Sequence, residues 1–147
     1  MSFSTARDKI VEIVEAASPS LKMAGSGSRF KHMPSGFEDR LAATRSFFIR
    51  SSSGNIHGPL TGITRRRLSM LRLSISYLQS RDLAKLDKVM VSDYEVISDD
   101  LLTTSKWDSS NSGIRQISSG GDTLLPYGIT DDDDGFVLSI TIPMEYE

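Results

Sequence analysis

A chain of 147 residues, 38% of them hydrophobic and 24% charged, is long enough for one globular domain, and a domain of this size buries about two thirds of its unfolded surface. The absence of cysteine excludes a disulfide framework, a thiolate metal site and a cysteine nucleophile. No apolar run approaches the roughly 20 residues that a membrane helix needs. The N-terminal residues combine acids with a helical period, unlike the continuous apolar core of a signal peptide. We therefore expect a protein that is made and folded in a cytoplasm.

The first predicted element is a helix over residues 5–17. Its apolar residues repeat at the spacing of one helix face: Ile10, Ile13, Val14 and Ala17. Pro19 disfavours helical geometry at the residue before it, so the helix should end there. The residues that follow have neither a helix nor a strand period and are rich in glycine and serine. We expect mobile loops at about residues 20–44 and again at 51–62.

Two strands are predicted on either side of the second loop. Residues 45–51 form a short strand with bulky aromatic side chains that suit a pleated surface. Residues 65–78 form a long strand, in which alternate apolar residues define one face: Leu71, Leu73, Ile75 and Tyr77. Because Leu68 and Met70 fall in the opposite phase, we expect a bulge or twist near Met70.

The second half of the chain predicts the main helix and two further strands. The helix covers about residues 80–102, with Ser80 or Asp82 able to cap its start. Its apolar stripe consists of Leu83, Leu86, Met90, Tyr94, Ile97 and Leu101. Residues 114–118 predict a short strand, and every even residue from 136 to 146 is apolar, which predicts a closing strand. Pro143 has no N–H to donate, so this strand should be an edge or unpaired at that point.

These elements predict a single small α+β domain over residues 1–147. The order of helix, strands, helix and strands fits a mixed or antiparallel sheet with helices packed on one face. The chain contains no internal repeat.

Charge is divided unevenly along the chain, although the net charge is only −2. From residue 45 to residue 81 there are seven arginines and no acid, and from residue 116 to residue 147 there are seven acids and no Lys or Arg. Complementary patches of this kind steer association and fix its register. The alternative is two solvated surfaces on a monomer. The candidate protein-interface residues are Arg65, Arg66, Arg67, Arg72, Asp131, Asp132, Asp133 and Asp134.

The aspartate run at 131–134 raises the question of a calcium site. An EF-hand loop with Gly135 at its sixth position would need an acid at position 130 and a glutamate at position 141. Both positions are threonine, so the motif fails. The run predicts instead a hairpin turn with Asp-Gly at its tip.

Nothing else in the chain predicts catalysis, a cofactor or a metal. His32 and His57 fall in predicted loops without a catalytic motif. The arginines at 65–67 could contact phosphates, but no aromatic residues lie among them to stack on bases. Partner carboxylates or solvent are the more natural neighbours for these arginines, and we do not expect an enzyme.

The closing segment, GITDDDDGFVLSITIPMEYE, resembles the ending of tail terminator proteins of long-tailed bacteriophages, those of the lambda type in particular. In that family an acidic turn leads into a last strand that finishes in an Ile-Thr-Tyr-Glu-like run. Residues 131–134 match the turn and residues 138–147 match the strand. The plan of a strand, a long loop, a long strand and a long helix matches over residues 45–147. The chain departs from the family in its long loop at 20–43 and in Pro143.

The resemblance implies a structural protein of the virion that is assembled in the host cytoplasm. It would form a hexameric ring on the end of the tail tube, stop tube polymerisation and dock to the head-side connector. Its partners would be other copies of the chain, the tail tube protein, the connector or neck protein and, in a contractile tail, the sheath protein. DNA would only pass through the lumen, and no membrane would take part.

Two other functions remain open from the sequence. One is a head-completion or neck protein of the head–tail interface, which is a binding module of similar size. The other, from a different class, is a small cytoplasmic enzyme with an unrecognised site.

Overall fold

A computed structural model describes residues 3–21, 29–37, 43–57, 66–107, 112–117, 125–132 and 134–146. Within these ranges two α-helices and six strands follow one another: α1 (Phe3–Ala16), β1 (Lys31–His32), β2 (Ser46–His57), β3 (Arg66–Leu78), α2 (Leu83–Leu102), β4 (Ile114–Ile117), β5 (Tyr127–Asp132) and β6 (Gly135–Tyr146). A short 3₁₀ turn, Thr104–Lys106, follows α2. The fold is a single small α+β domain, as predicted.

The six strands form one mixed sheet with β6 in its interior. The strand order is β1-β2-β3-β6-β4, and β5 pairs with β6 on the same edge as β4. Only β1 and β2 are parallel, and the other pairs are antiparallel. β5 lies beside the first half of β6 up to Ile140, whereas β4 lies beside its last residues from Met144.

Pro143 occupies the gap between β5 and β4. The N–H of Thr141 donates to the carbonyl oxygen of Pro126 at 2.9 Å, so odd residues of β6 direct their backbone groups to this edge. The missing N–H of Pro143 therefore faces a stretch of the edge where no described residue pairs with it. Among the described residues the strand is unpaired on this side, as predicted, whereas Pro143 pairs with Met70 of β3 on the other side and β6 as a whole is an interior strand.

The core lies between the two helices and one face of the sheet. Odd residues of β3 pair with even residues of β6, for example Leu73 with Ile140, and both side chains are buried. The predicted face of α1 is buried in the same cluster, with Ile10 and Val14 at 0% exposure. Alternation in the strands and a 3.6-residue period in the helices thus produce one shared apolar layer.

The main helix begins slightly later than predicted. Asp82 is its N-cap, and its side chain accepts a hydrogen bond from the N–H of Lys85 at 3.0 Å. Leu83, assigned to the apolar stripe from sequence, is the first helical residue and is 51% exposed. The buried stripe begins only at Leu86, one turn further along the helix.

The second predicted loop is wrong over residues 51–57, because β2 continues through them to His57. These polar residues pair with the first part of β3, and a ladder of backbone hydrogen bonds does not require apolar side chains. The register shifts between Ser51 and Ser53, opposite Leu71 and Met70, so the predicted irregularity exists but lies on β2. Residues 58–62 of this second loop lie outside the described residues. In the first predicted loop, residues 31–32 form β1.

Candidate assembly interface

The acidic run lies on a hairpin formed by β5 and β6. Asp132 pairs with Gly135, and Asp134 lies in the turn between them. The Oδ1 atom of Asp132 accepts a hydrogen bond from the backbone N–H of Asp134 at 3.2 Å. Asp131, Asp132 and Asp134 are exposed, and none forms an ion pair with another described residue. Asp133 lies outside the described residues. The hairpin is as predicted, but Gly135 begins β6 rather than forming the tip.

Gly135 fixes this hairpin against the end of β3. Its φ of 156° lies in a region that favours glycine, and a Cβ at this position would overlap the carbonyl oxygen of Tyr77. The N–H of Gln79 also donates to the carbonyl oxygen of Asp134 at 3.0 Å. The acidic turn is therefore held at the C-terminal end of β3.

The arginine run lies at the other end of the same strand. Arg66 and Arg67 are the first residues of β3, and Arg65 lies outside the described residues. Because Arg67 pairs with Tyr146 and Leu78 pairs with Gly135, the two clusters are separated by 11 residue steps along β3. At about 3.3 Å per residue this is ~36 Å, which no pair of arginine and aspartate side chains can span. The arginine run begins β3 and the aspartate run precedes β6, and the antiparallel pairing of these two strands places the runs at opposite ends of the sheet.

Arg72 lies in the middle of β3, on the face that the helices do not cover. It is exposed and pairs across the ladder with Arg50 of β2 on one side and Thr141 of β6 on the other. Arg50 is also exposed. Neither arginine forms an ion pair within the described part of the chain. The structure thus brings Arg50 beside Arg72, an association that the sequence analysis missed.

Arg45 belongs to the core and not to the basic surface. It is 1% exposed, and its Nε and Nη2 atoms donate to the two carboxylate oxygens of Asp93 at 2.9 and 3.0 Å. Nη2 also donates to the carbonyl oxygen of Leu21 at 2.6 Å. The hydroxyl of Tyr77 donates to Asp93 at 2.7 Å. The carboxylate of Asp93 neutralises Arg45 inside the protein. One of the seven arginines of the basic segment therefore does not contribute to the surface charge.

This buried group joins the start of β2 to β3 and α2. Burial raises the pKa of Asp93, although the hydrogen bonds from Arg45 and Tyr77 and the charge of Arg45 favour its carboxylate form. Burial and the charge of Asp93 raise the pKa of Tyr77 well above its usual value, so Tyr77 remains a neutral donor. A sequence signal exists for Asp93, because it lies three residues after Met90 and four before Ile97, in phase with the buried stripe.

The two histidines do not lie in loops. His32 is in β1 and stacks at 5.2 Å on the ring of Phe47, and its buried Nε2 atom has no hydrogen-bond partner among the described residues. His57 is the last residue of β2. The described ranges contain no group of three or more histidine or acidic residues that could hold a metal ion. Within those ranges no helix has the length and apolar character needed to cross a membrane.

No family model and no curated protein matches the chain. The geometry of the charged surfaces and the resemblance of the closing segment are therefore the observations that bear on function.

Proposed function

We propose that this protein is a tail-terminator-like structural protein of a long-tailed bacteriophage. Copies of the chain form a hexameric ring that caps the tail tube, stops its polymerisation and docks to the head-side connector. The ring contacts other copies of the chain, the tube protein and the connector, and it resides in the virion at the head-proximal end of the tail.

The observation that supports this proposal is the separation of opposite charges along the β3–β6 pair. An arginine run at one end and an aspartate run at the other cannot neutralise each other within a chain, because ~36 Å of strand lies between them. The acidic hairpin, which is exposed at Asp131, Asp132 and Asp134, therefore faces solvent or another molecule. A cyclic ring uses two different surfaces of each subunit, so complementary ends on one chain suit this kind of assembly.

The first experiment is a complementation assay in a phage that lacks its own tail terminator. The triple variant Arg65→Glu, Arg66→Glu, Arg67→Glu reverses three charges while leaving the apolar layer intact. We expect overlong or uncapped tails and a melting temperature close to that of the wild type. Exposed ion pairs contribute only about 0–1 kcal/mol each, so single substitutions should have little effect.

The matched control reverses three exposed positive charges elsewhere: Arg81→Glu, Lys85→Glu and Lys88→Glu, at and near the start of α2. This variant has the same change in net charge and should still cap tails. Tails of normal length, capped normally, from the variant at 65–67 would mean that those arginines are solvated surface.

A further inference from the structure

The face of the sheet opposite the helices carries two arginines that are direct cross-strand neighbours. Arg50 of β2 pairs with Arg72 of β3, and both side chains are exposed. Side chains opposite each other in an antiparallel pair lie about 5 Å apart at Cβ, and like charges in this position are destabilising. No described carboxylate forms an ion pair with either one. Within the described part of the chain the pair is a concentrated positive charge without an ion-pair partner.

The guanidinium of Arg50 is held in position by its neighbours. Its Cζ atom lies 4.9 Å from the centroid of the Phe48 ring, and Phe37 packs edge-on against the same ring at 4.7 Å. Gly36 lets the 33–37 segment approach closely, since a Cβ there would come within 2.8 Å of the Arg50 Nη2 atom. A charged group fixed in this way loses little conformational entropy when it binds an anion.

The acidic hairpin of the same subunit cannot reach this pair. Arg72 lies beside Thr141, whereas Asp132 lies beside Gly135, six residue steps earlier on β6. At about 3.3 Å per residue the separation is ~20 Å along the strand. All six residues of β5 are exposed, so the hairpin is available to a neighbour.

We propose that the Arg50–Arg72 pair receives the acidic β5–β6 hairpin of a second copy of this chain. Carboxylates bind guanidinium groups through paired charge-assisted hydrogen bonds, and two adjacent guanidiniums suit neighbouring aspartates. The contact joins two different surfaces, so its repetition closes a ring or extends a filament. This inference rests on the ring of the proposed function, and it names the Arg50–Arg72 pair, rather than the arginine run at 65–67, as the surface that meets the hairpin of the neighbouring copy.

The test is a charge exchange measured by sedimentation velocity over a range of protein concentrations. One variant carries Arg50→Asp and Arg72→Asp, and the other carries Asp131→Arg and Asp134→Arg, which leaves the side-chain acceptor Asp132 in place. The wild type should self-associate, and each variant alone should associate more than ~tenfold more weakly because like charges then face each other. An equimolar mixture should recover association, because each variant then meets opposite charge on the other.

The matched control is Lys85→Asp with Lys88→Asp, at exposed positions of α2, which should associate like the wild type. Thermal melts establish that each variant is folded. A wild type that stays monomeric at every concentration, an arginine variant that associates normally, or a mixture that does not recover would each overturn the proposal. Loss of binding to a 20-bp DNA duplex in the arginine variant, with self-association unchanged, would assign the pair to phosphate instead.

The two proposals fail in different ways. Charge-dependent self-association by a protein that does not cap tails would overturn only the proposed function. If the protein caps tails but its self-association does not depend on Arg50 and Arg72, only the contact proposed for those residues is overturned.

Discussion

Replacement of Asp93 by alanine should be among the most damaging single changes in this protein. The substitution removes both oxygens that accept from Arg45, at 2.9 and 3.0 Å, and the acceptor of the Tyr77 hydroxyl at 2.7 Å. Arg45 is 1% exposed, so its charge would remain buried without a carboxylate partner, although Nη2 still donates to the carbonyl oxygen of Leu21. Removing one partner of a buried ion pair costs about 3–5 kcal/mol.

That cost is large against the total stability of the domain. The free energy of unfolding of a small domain is about 5–15 kcal/mol. A loss of 1 kcal/mol lowers the melting temperature of a domain of this size by roughly 2–4 °C. We therefore expect Asp93→Ala to lower the melting temperature by about 6–20 °C. Urea denaturation followed by the fluorescence of the buried Trp107 measures the loss of free energy directly.

The matched control is Asp87→Ala, which makes the same substitution at an exposed position of the same helix. It should change the free energy of unfolding by less than about 0.5 kcal/mol. If the two variants unfold alike, the ion pair does not stabilise the protein and this reasoning is wrong. A combined replacement of Arg45→Met, Tyr77→Phe and Asp93→Leu should recover most of the loss, because replacing a buried polar group as a whole costs far less than leaving one member unpaired.

Two further predictions concern the pKa of Asp93 and the close packing of the backbone at Gly135. The pKa of Asp93 should lie above its ordinary value of 3.8 because burial disfavours the charged form, so the folded state binds the proton more tightly than the unfolded state does. Protonation of Asp93 should then favour the folded state: this proton-linked part of the stability is complete below pH 3.8 and is lost as the pH rises through the folded-state pKa, above which the ion pair with Arg45 remains. A carboxyl ¹³C NMR titration with a midpoint below 3.8 would contradict this. Gly135→Ala should destabilise the domain by roughly 1–3 kcal/mol because of its strained φ and its overlap with Tyr77. Gly128→Ala on the paired strand, where no atom lies within 4 Å of the added Cβ, should be nearly neutral in the same denaturation assay.

The strands that the sequence predicted well are those that separate an apolar face from a polar one. Apolar residues occupy alternate positions through most of β6 and of the second half of β3, and these residues form the core layer. The second half of β2 lacked such a signal, because residues such as Ser53 and Asn55 take part through backbone pairing with β3. Side-chain pattern cannot reveal a strand whose position is determined by its neighbour.

The sequence likewise predicted the arrangement of the charged residues only in part. The arginine and aspartate runs were visible as composition, but their distance from each other depends on antiparallel register. Predicting that Arg50 pairs with Arg72 likewise requires the register between β2 and β3, and this register shifts between Ser51 and Ser53, just after Arg50. Arg45 was counted with the basic surface because its partner, Asp93, is 48 residues away in the sequence.

The interior position of β6 has a consequence for synthesis on the ribosome. β3 acquires its second neighbour only when the 68 residues from Gln79 to Tyr146 have been added, which takes roughly 3–14 s at ordinary elongation rates. During that interval the nascent sheet ends at an open edge of β3, the kind of template that invites pairing with another chain. Because β6 pairs with β3, β4 and β5 alike, the last strand to be synthesised among these elements is the one that unites them. Completion of the sheet should therefore be a late, non-local step with a slow folding rate.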